Sequence, residues 1–326
     1  MYKLTDIKTI HLEPTSKCQA SCPMCVRNMQ GGILNPFLEL NEITVDQFKQ
    51  WIPVNIVQQL DRLYMCGNSG EPIVARDALE IFKYLRENNS SMKLAMNTNG
   101  SARDKEWWEE LAATQVSVRF GIDGLEDTHS LYRIGTSWKK IISNADAFIK
   151  AGGHAEWDML VFEHNKHQVE SCEQLSKEMN FSNFIVKHTS RFKEGKVHVL
   201  TKEGKTSHFI YPSERSNNFT KEFSQYNIEE NKTIHCKVKA EKNLFLNAHG
   251  HVYPCCWLDI DALPPMSLSR VDYLDRELSI PSLHTHTLDE IFNSGYFERI
   301  EDTWNCNPLR ECSKQCGKID KFNAQF

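Results

Sequence analysis

The sequence has no long hydrophobic run and no strong excess of charge of either sign. No apolar stretch reaches the ~18 residues that a membrane-spanning helix needs, and the opening residues MYKLTDIKTIHLEP lack the apolar core of a signal peptide. The net charge of −5 gives no reason to expect a nucleic-acid or a membrane partner. The chain also has no internal repeat and no low-complexity tract. We therefore expect a cytoplasmic protein.

Cysteine is the residue type in clear excess. The 326 residues suggest about two domains, and a composition of 40% hydrophobic and 25% charged residues is typical of a folded chain with a sizeable core. The chain contains eleven cysteines, which without an export signal more often bind metal or do redox chemistry than form disulfides. They form one cluster within residues 18–25 and another within 236–316, in agreement with two domains. Cys66 and Cys172 stand alone, and we expect both to be structural.

The first 192 residues alternate short apolar runs with amphipathic helical patterns, which predicts βα units and a parallel sheet. The predicted strands are Ile7–Leu12, Leu60–Cys66, Met92–Asn97, Val116–Ile122, Trp157–Phe162 and Phe184–Val186. Six such units predict an α/β fold, a partial (β/α)6 barrel with one open side, over residues 1–192. The polar residues 193–231 are predicted to form a linker or a peripheral hairpin, and residues 232–326 a small α+β domain rich in cysteine.

The spacing Cys18-x3-Cys22-x2-Cys25 follows the first predicted strand directly. It places three thiolates on one loop at the carboxyl end of a strand, where barrel enzymes assemble their active sites. Three cysteines on a four-iron cubane leave one iron free to bind a further ligand, much as an open position marks a catalytic zinc site. A structural zinc site and a redox pair are the alternatives, although zinc sites usually show paired Cys-x2-Cys units.

With these motifs in place, residues 7–186 resemble the radical S-adenosylmethionine (SAM) superfamily. In that family three cysteines of this spacing hold a 4Fe–4S cluster, and the amino and carboxylate groups of SAM chelate the fourth iron. The resemblance therefore implies a SAM-binding 4Fe–4S cluster on Cys18, Cys22 and Cys25. It also implies that Met24, where the family usually has an aromatic residue, helps to frame the adenine through its backbone.

Three later turns resemble the family's SAM-binding motifs in the expected order. Ser69-Gly70-Glu71 resembles the Gly-Gly-Glu region that contacts the SAM ammonium, and a carboxylate suits an ammonium. The turn that begins at Asn97 is similar to the Thr-Asn-Gly turn. Gly121-Ile122-Asp123-Gly124 resembles a Ser-Ile-Asp-Gly stretch, with glycine in place of the serine that commonly touches the ribose.

Arg133 completes the resemblance to this pattern. A guanidinium pairs bidentately with a carboxylate, so Arg133 suits the carboxylate of SAM. Taken singly, each of these features has a plain structural alternative. The Gly-containing turns are weak signals by themselves, and Arg133 by residue type fits a solvated helix start equally well.

The C-terminal cysteines resemble the SPASM and twitch extensions of radical SAM enzymes, which bind auxiliary 4Fe–4S clusters. The full SPASM pattern has seven cysteines and two clusters, but its Cys-x2-Cys start is missing here, because Thr303 stands three residues before Cys306. We therefore expect the shorter, twitch-like type with one auxiliary 4Fe–4S cluster. The predicted ligands are Cys236, Cys255, Cys312 and Cys316. Cys256 or Cys306 replacing one of these, and a structural zinc site, are the open alternatives.

The resemblance implies a radical SAM oxidoreductase. An external one-electron donor, such as a flavodoxin or ferredoxin, would reduce the cluster. SAM would then be cleaved reductively to a 5′-deoxyadenosyl radical that abstracts hydrogen from a substrate. With an auxiliary cluster as electron acceptor, we expect a two-electron oxidation.

The sequence does not identify the substrate or a catalytic acid or base. The early position of Cys18 and the shorter extension favour a small molecule, an alcohol or an amino-sugar-like compound. A peptide, modified by crosslinking or side-chain oxidation, is the alternative. A non-catalytic iron–sulfur or zinc scaffold is an alternative of another class, and the SAM-site motifs argue against it.

Overall fold

Six parallel strands follow one another along the first part of the chain. In the computed structural model, which describes residues 2–192, 195–218, 233–261 and 280–317, each strand pairs with the next one along the chain. The strands are β1 Thr9–Leu12, β2 Arg62–Met65, β3 Lys93–Thr98, β4 Ser117–Gly121, β5 His154–Leu160 and β6 Asn183–Lys187. This arrangement confirms the six predicted strands and the α/β partial barrel.

Helices connect these strands and cover one face of the sheet. They are α1 Val45–Trp51, α2 Val54–Gln59, α3 Ala78–Asn88, α4 Lys105–Ala113, α5 Glu126–Tyr132, α6 Trp138–Lys150 and α7 Val169–Glu178. In α6, the Ser137 side chain accepts a hydrogen bond from the Lys140 amide and caps the first turn. The helix ends before Gly152, whose φ of +89° is accessible to glycine at little cost.

The strand side chains alternate between two faces. One face packs against the helices and forms the main core, in which the members Leu63, Met96, Phe120 and Trp157 are all nearly or fully buried. Burial of each such side chain stabilises the fold by roughly 1.5–3 kcal/mol. The other face, which we call the lumen face, carries polar and charged side chains. The sheet therefore separates an apolar helix layer from a polar barrel interior.

Two C-terminal strands extend the same sheet, which the sequence did not predict. Strand β9, Asn243–Leu246, pairs in parallel with β1, and β10, Val252–Tyr253, pairs antiparallel with β9. All four residues of β9 are buried. Four residues are too few to show a period, and a strand buried on both faces reads as a continuous apolar run. The C-terminal segment is thus joined to the barrel through a shared sheet.

After β6, the described chain contains a hairpin, a short helical segment at residues 214–218 and five short helices beyond residue 236. Strands β7, Val197–Leu200, and β8, Thr206–Ile210, pair antiparallel within the segment predicted as linker or hairpin. The helices are α8 Lys237–Ala240, α9 Cys256–Asp261, α10 Leu288–Asn293, α11 Tyr296–Asp302 and α12 Arg310–Cys316. Of the helices in the described ranges, none has the length and apolar character needed to cross a membrane.

Candidate active site

The loop after β1 carries three of the predicted cluster ligands. Cys22 is buried, and Cys18 and Cys25 are half-buried. The loop is folded by its own backbone, because the Cys25 amide donates to the Cys22 carbonyl at 3.0 Å. It packs against Tyr132 and against Val199 of the β7–β8 hairpin. The hairpin therefore covers part of this cysteine loop.

Burial makes the thiolate forms of these cysteines costly. It raises the pKa of Cys18 to about 12 and that of Cys22 to about 11. Two guanidinium groups oppose this effect, Arg27 beside Cys18 and Arg133 beside Cys22. Three thiols on one loop, supported by two cations, fit three corners of a 4Fe–4S cluster, in which iron would hold the sulfurs as thiolates.

The Ser69-Gly70-Glu71 turn after β2 lies against this cysteine loop. A Cβ atom on Gly70 would stand 1.5 Å from the Thr15 carbonyl oxygen, so only glycine permits this approach. Arg27 ties the two segments together, since its Nη1 donates to the carbonyls of Ser16 and Ser69 at 2.6 Å each. The structure thus brings the first two predicted SAM-site elements into direct contact.

Glu13, which sequence reasoning missed, holds the backbone of the same turn. Its buried carboxylate accepts hydrogen bonds from the amides of Ser69 at 2.7 Å and Gly70 at 2.9 Å. Burial, together with the nearby carboxylate of Asp259, raises the pKa of Glu13 to about 8. The only signal in the sequence was an acidic residue directly after a strand. Glu13 is a positioning residue for the turn.

Glu71 joins the β2 turn to the end of β3. Its Oε1 accepts from the Thr98 hydroxyl at 2.6 Å, and its Oε2 accepts from the Asn99 amide at 2.8 Å. Burial raises the pKa of Glu71. Asn99 in turn reaches the cysteine loop, because its side-chain oxygen accepts from Gln19 Nε2 at 2.7 Å. Asn97 is placed differently: it lies on the exposed lumen side of β3, where it hydrogen-bonds the Cys66 thiol.

Arg133 lies over the end of β4. Its Nε donates to Asp123 Oδ2 at 2.6 Å, and the second Asp123 oxygen accepts from the Leu160 amide at 2.7 Å. A Cβ on Gly121 would stand 2.6 Å from Arg133 Nη2, so glycine at this position leaves room for the guanidinium. The same guanidinium hydrogen-bonds the Cys22 thiol. Arg133 therefore connects the buried carboxylate of Asp123 to the cysteine loop.

His129 supports this arrangement and was not identified from the sequence. The Asp123 amide donates to His129 Nδ1 at 3.1 Å, and His129 Nε2 lies 3.0 Å from the Thr136 hydroxyl. Burial lowers the pKa of His129 to about 4, so the ring is neutral near pH 7 and Nε2 carries the proton. Its partners are backbone and hydroxyl groups, which indicates a positioning role.

Met24 is placed beside the cysteines of its loop and is partly buried with them. Its carbonyl oxygen accepts a hydrogen bond from Arg191 Nη1 at 3.3 Å. Arg191, which follows β6, therefore holds the backbone of Met24, the residue that the sequence resemblance places beside the adenine.

The four predicted auxiliary ligands lie together in the C-terminal region. The thiol of Cys236 hydrogen-bonds that of Cys316, which lowers the pKa of Cys316 to about 7 and raises that of Cys236. Cys255 acts electrostatically on Cys236 and on Cys312, and Cys316 acts on Cys255. Burial raises the pKa of Cys255 and of Cys312 to about 12 each.

Cys306 and Cys256, the two C-terminal cysteines outside the predicted set, have different surroundings. Cys306 is exposed, and its sulfur lies 3.8 Å from the carbonyls of Asp302 and Thr303. Cys256 borders Cys66 and Glu13 at the junction with the barrel, as well as Cys255. Across the described ranges, no three His, Cys, Asp or Glu side chains are spaced to hold a single metal ion. A set of four thiols has the donor chemistry of a fully coordinated 4Fe–4S cluster.

Two family models match the chain. That of the Radical SAM superfamily matches residues 12–173, and that of the iron-sulfur cluster-binding domain SPASM matches residues 236–317. GTP 3′,8-cyclase of Cronobacter sakazakii is 30% identical over 152 residues, 44% of this chain and 43% of the relative. The chain thus matches less than half the length of this curated relative.

Solved structures of low sequence identity share the fold. SuiB of Streptococcus suis bound to S-adenosylmethionine has a TM-score of 0.58 at 14% identity, over 95% of this chain and 68% of SuiB. BtrN in complex with AdoMet and 2-DOIA has a TM-score of 0.50 at 12% identity, over 98% of this chain and 97% of BtrN. At these identities, the likeness concerns the fold alone.

Proposed function

We propose that this chain, which belongs to the radical SAM superfamily and carries a C-terminal SPASM iron–sulfur domain, uses SAM for radical chemistry on a substrate. When bound together, a 4Fe–4S cluster and SAM would supply reductive cleavage of SAM to a 5′-deoxyadenosyl radical that abstracts hydrogen. The observation that carries this proposal is the meeting of three βα turns at one cysteine loop, through Gly70, Asn99 and Arg133.

Cys18, Cys22 and Cys25 would hold the cluster, and Arg133 would serve both cluster and SAM. The cation beside Cys22 favours the thiolate form. Its side chain is fixed by the buried carboxylate of Asp123 and is partly exposed, so donors are left for the SAM carboxylate. The Arg133 guanidinium, held in place by the Asp123 carboxylate, would thus both stabilise the Cys22 thiolate and bind the SAM carboxylate.

Glu71 would position the turn and receive the SAM ammonium. Its two oxygens already accept from Thr98 and Asn99, but a carboxylate offers about four lone-pair sites. Gly70 would let the backbone of the turn approach SAM, and Met24 would frame the adenine through its own backbone. Ser69 is held by Glu13 and Arg27, so the turn is ordered before SAM binds.

One auxiliary 4Fe–4S cluster would be held by the thiols of Cys236, Cys255, Cys312 and Cys316. Zinc on the same four thiols is the alternative. A fully coordinated auxiliary cluster suits electron acceptance from the substrate, which would make the reaction a two-electron oxidation. An external flavodoxin-like or ferredoxin-like protein would supply the first electron.

A small polar molecule, an alcohol or an amino-sugar-like compound, is the substrate class that we favour. Ion pairs line the lumen face below the site, between Arg119 and Glu156 and between Lys187 and Asp158. Such a surface suits polar groups better than apolar side chains. The BtrN complex with 2-DOIA is consistent with this class. A peptide is the alternative, and the SuiB complex with the precursor peptide SuiA represents it.

Production of 5′-deoxyadenosine tests the proposal. Anaerobically reconstituted protein given dithionite and SAM should form 5′-deoxyadenosine, and Cys18→Ala should abolish it. Cys172→Ala is the matched control, because this thiol lies on the buried face of α7 and belongs to neither cysteine cluster. A fully iron-loaded protein that forms no 5′-deoxyadenosine would instead support the non-catalytic scaffold.

A further inference from the structure

The lumen face contains a cavity at the amino-terminal end of the strands. Strand register places Ala95 beside Ser117, and these two small side chains leave space between the longer ones above and below. The cavity measures about 500 Å³. Its charged and polar lining includes Arg62, Lys93, Asn97, Ser117, Arg119, His154 and Glu156. We call this cavity the basic lumen pocket.

The pocket contains two neighbouring cations for which the described part of the chain offers no ion-pair partner. Arg62 and Lys93 are register partners on β2 and β3, so their side chains leave the same face side by side. Neither forms an ion pair with a carboxylate of the described chain; Arg62 instead lies 4.8 Å from the Tyr64 ring. Like charges side by side on one sheet face destabilise a fold. An anion between them would remove that repulsion.

The remaining lining groups add hydrogen-bond donors. Arg119 extends into the pocket from β4, although Glu156 and Asp158 engage it. Asn97 and Ser117 supply an amide and a hydroxyl that can donate. The pocket is therefore positive within a chain whose net charge is −5. Clefts lined by charge of one sign concentrate ligands of the opposite sign.

We propose that the basic lumen pocket binds a multivalent oxyanion of the phosphate type. A phosphate group accepts charge-assisted hydrogen bonds from several donors at once, which matches guanidinium, ammonium, amide and hydroxyl groups around one space. The group could belong to the anionic end of a substrate or to a free anion that regulates the enzyme. The first source rests on the proposed function, and the pocket itself does not.

The position of the pocket relates it to the site. Its far end, at Ser117, lies four residues along β4 from Gly121, the residue that Arg133 covers, and is therefore about 13 Å from it. Arg119 Nε lies 3.4 Å from Asp158 Oδ1, and Asp158 is the register partner of Gly121. A molecule about 13 Å long, held in the pocket by its anionic end, would present its other end beneath Arg133.

Calorimetric titration of cluster-loaded protein with pyrophosphate tests the pocket without turnover. Wild type should bind pyrophosphate. The Arg62→Gln/Lys93→Gln variant should bind it more weakly by about tenfold or more, because two charge-assisted contacts are lost. Lys139→Gln/Lys150→Gln removes the same charge from exposed positions of α6 and should bind as wild type does. Glu156→Gln, which removes one of the two carboxylates that engage Arg119, should bind severalfold more tightly.

Two results would contradict the proposed anion site. One is that wild type does not bind pyrophosphate, and the other is that the control pair weakens pyrophosphate binding as much as the pocket pair does. If the double variant does not fold, as judged by thermal unfolding, Lys93→Gln alone should still weaken binding. The rate of 5′-deoxyadenosine formation in the absence of substrate then distinguishes a regulatory anion from the anionic end of a substrate. A regulatory anion changes this rate in wild type but not in the double variant, whereas a substrate-end site binds pyrophosphate with the rate unchanged. Either result supports the pocket, and failure of pyrophosphate binding leaves the proposed function untouched.

Discussion

Replacing Gly70 with alanine should separate the two loops that form the core of the candidate site. The new Cβ would start 1.5 Å from the Thr15 carbonyl oxygen, whereas real Cβ contacts essentially never fall below 3.0 Å. One loop must therefore move by about 1.5 Å, the difference between these distances. Thr15 is fully buried and donates through its hydroxyl to the Asn41 carbonyl at 2.9 Å, so the cysteine loop resists this movement.

The cost of Gly70→Ala follows from the contacts that the shift would break. They include the bonds from the Gly70 amide to Glu13 at 2.9 Å and from the Glu71 amide to the Lys17 carbonyl at 2.9 Å. Overpacking typically costs 1–3 kcal/mol, and each unmade buried hydrogen bond adds to it, so we expect a loss of about 4 kcal/mol in the free energy of unfolding.

Denaturant unfolding of the metal-free protein and the iron content after anaerobic reconstitution measure the two consequences. Gly70→Ala should lose stability and about four irons per chain, the content of one 4Fe–4S cluster. Gly152→Ala is the control: no described atom lies within 4 Å of its Cβ position, and its positive φ alone should cost about 1 kcal/mol. If Gly70→Ala keeps both its stability and its iron, the close approach has no role in the site.

Three further changes test other parts of the site. The pKa of Glu13 is raised to about 8 from its unfolded value of 4.5, so the folded state binds the extra proton and stability should fall as pH rises from about 5 to 8. In the wild type this fall in the free energy of unfolding should be on the order of 3 kcal/mol over that range, and Glu13→Gln should remove it. If denaturant unfolding shows the same pH dependence in the variant, Glu13 is not the group that titrates. Arg133→Lys should weaken SAM binding about tenfold by calorimetry, since a lysine cannot keep the contacts to both Asp123 and Cys22; equal affinity would refute the role. Cys312→Ser should lose the auxiliary cluster by iron analysis whereas Cys306→Ser should retain it, and the reverse result would exchange their assignments.

The helix-connected strands were predictable because each carries its own local signal. The run around Leu94 and Met96, bounded by amphipathic helices, predicts a buried strand without knowledge of its partners. Strand β9 gives no such signal, because Asn243–Leu246 becomes a strand only when β1 lies beside it. Long-range pairing of this kind is set by tertiary contacts, which sequence periodicity does not record.

The same distinction holds in the site. The cysteine spacing and the glycine turns are local patterns, and the sequence shows them directly. The role of Glu13 depends on amides that lie 56 and 57 residues further along the chain. Gly121 reads as a departure from a serine-containing motif until the structure places the Arg133 guanidinium over it. Positioning residues of this kind become visible only when the loops are brought together.

Electron paramagnetic resonance of the reduced cluster tests the central claim most directly. In a Cys255→Ser/Cys316→Ser variant, which should lack the auxiliary cluster, the reduced protein should show the spectrum of one 4Fe–4S cluster. Addition of SAM should shift this spectrum, because SAM would bind the iron that the three cysteines of residues 18–25 leave free. A spectrum that SAM leaves unchanged would contradict the claim that this cysteine loop presents an open iron to SAM.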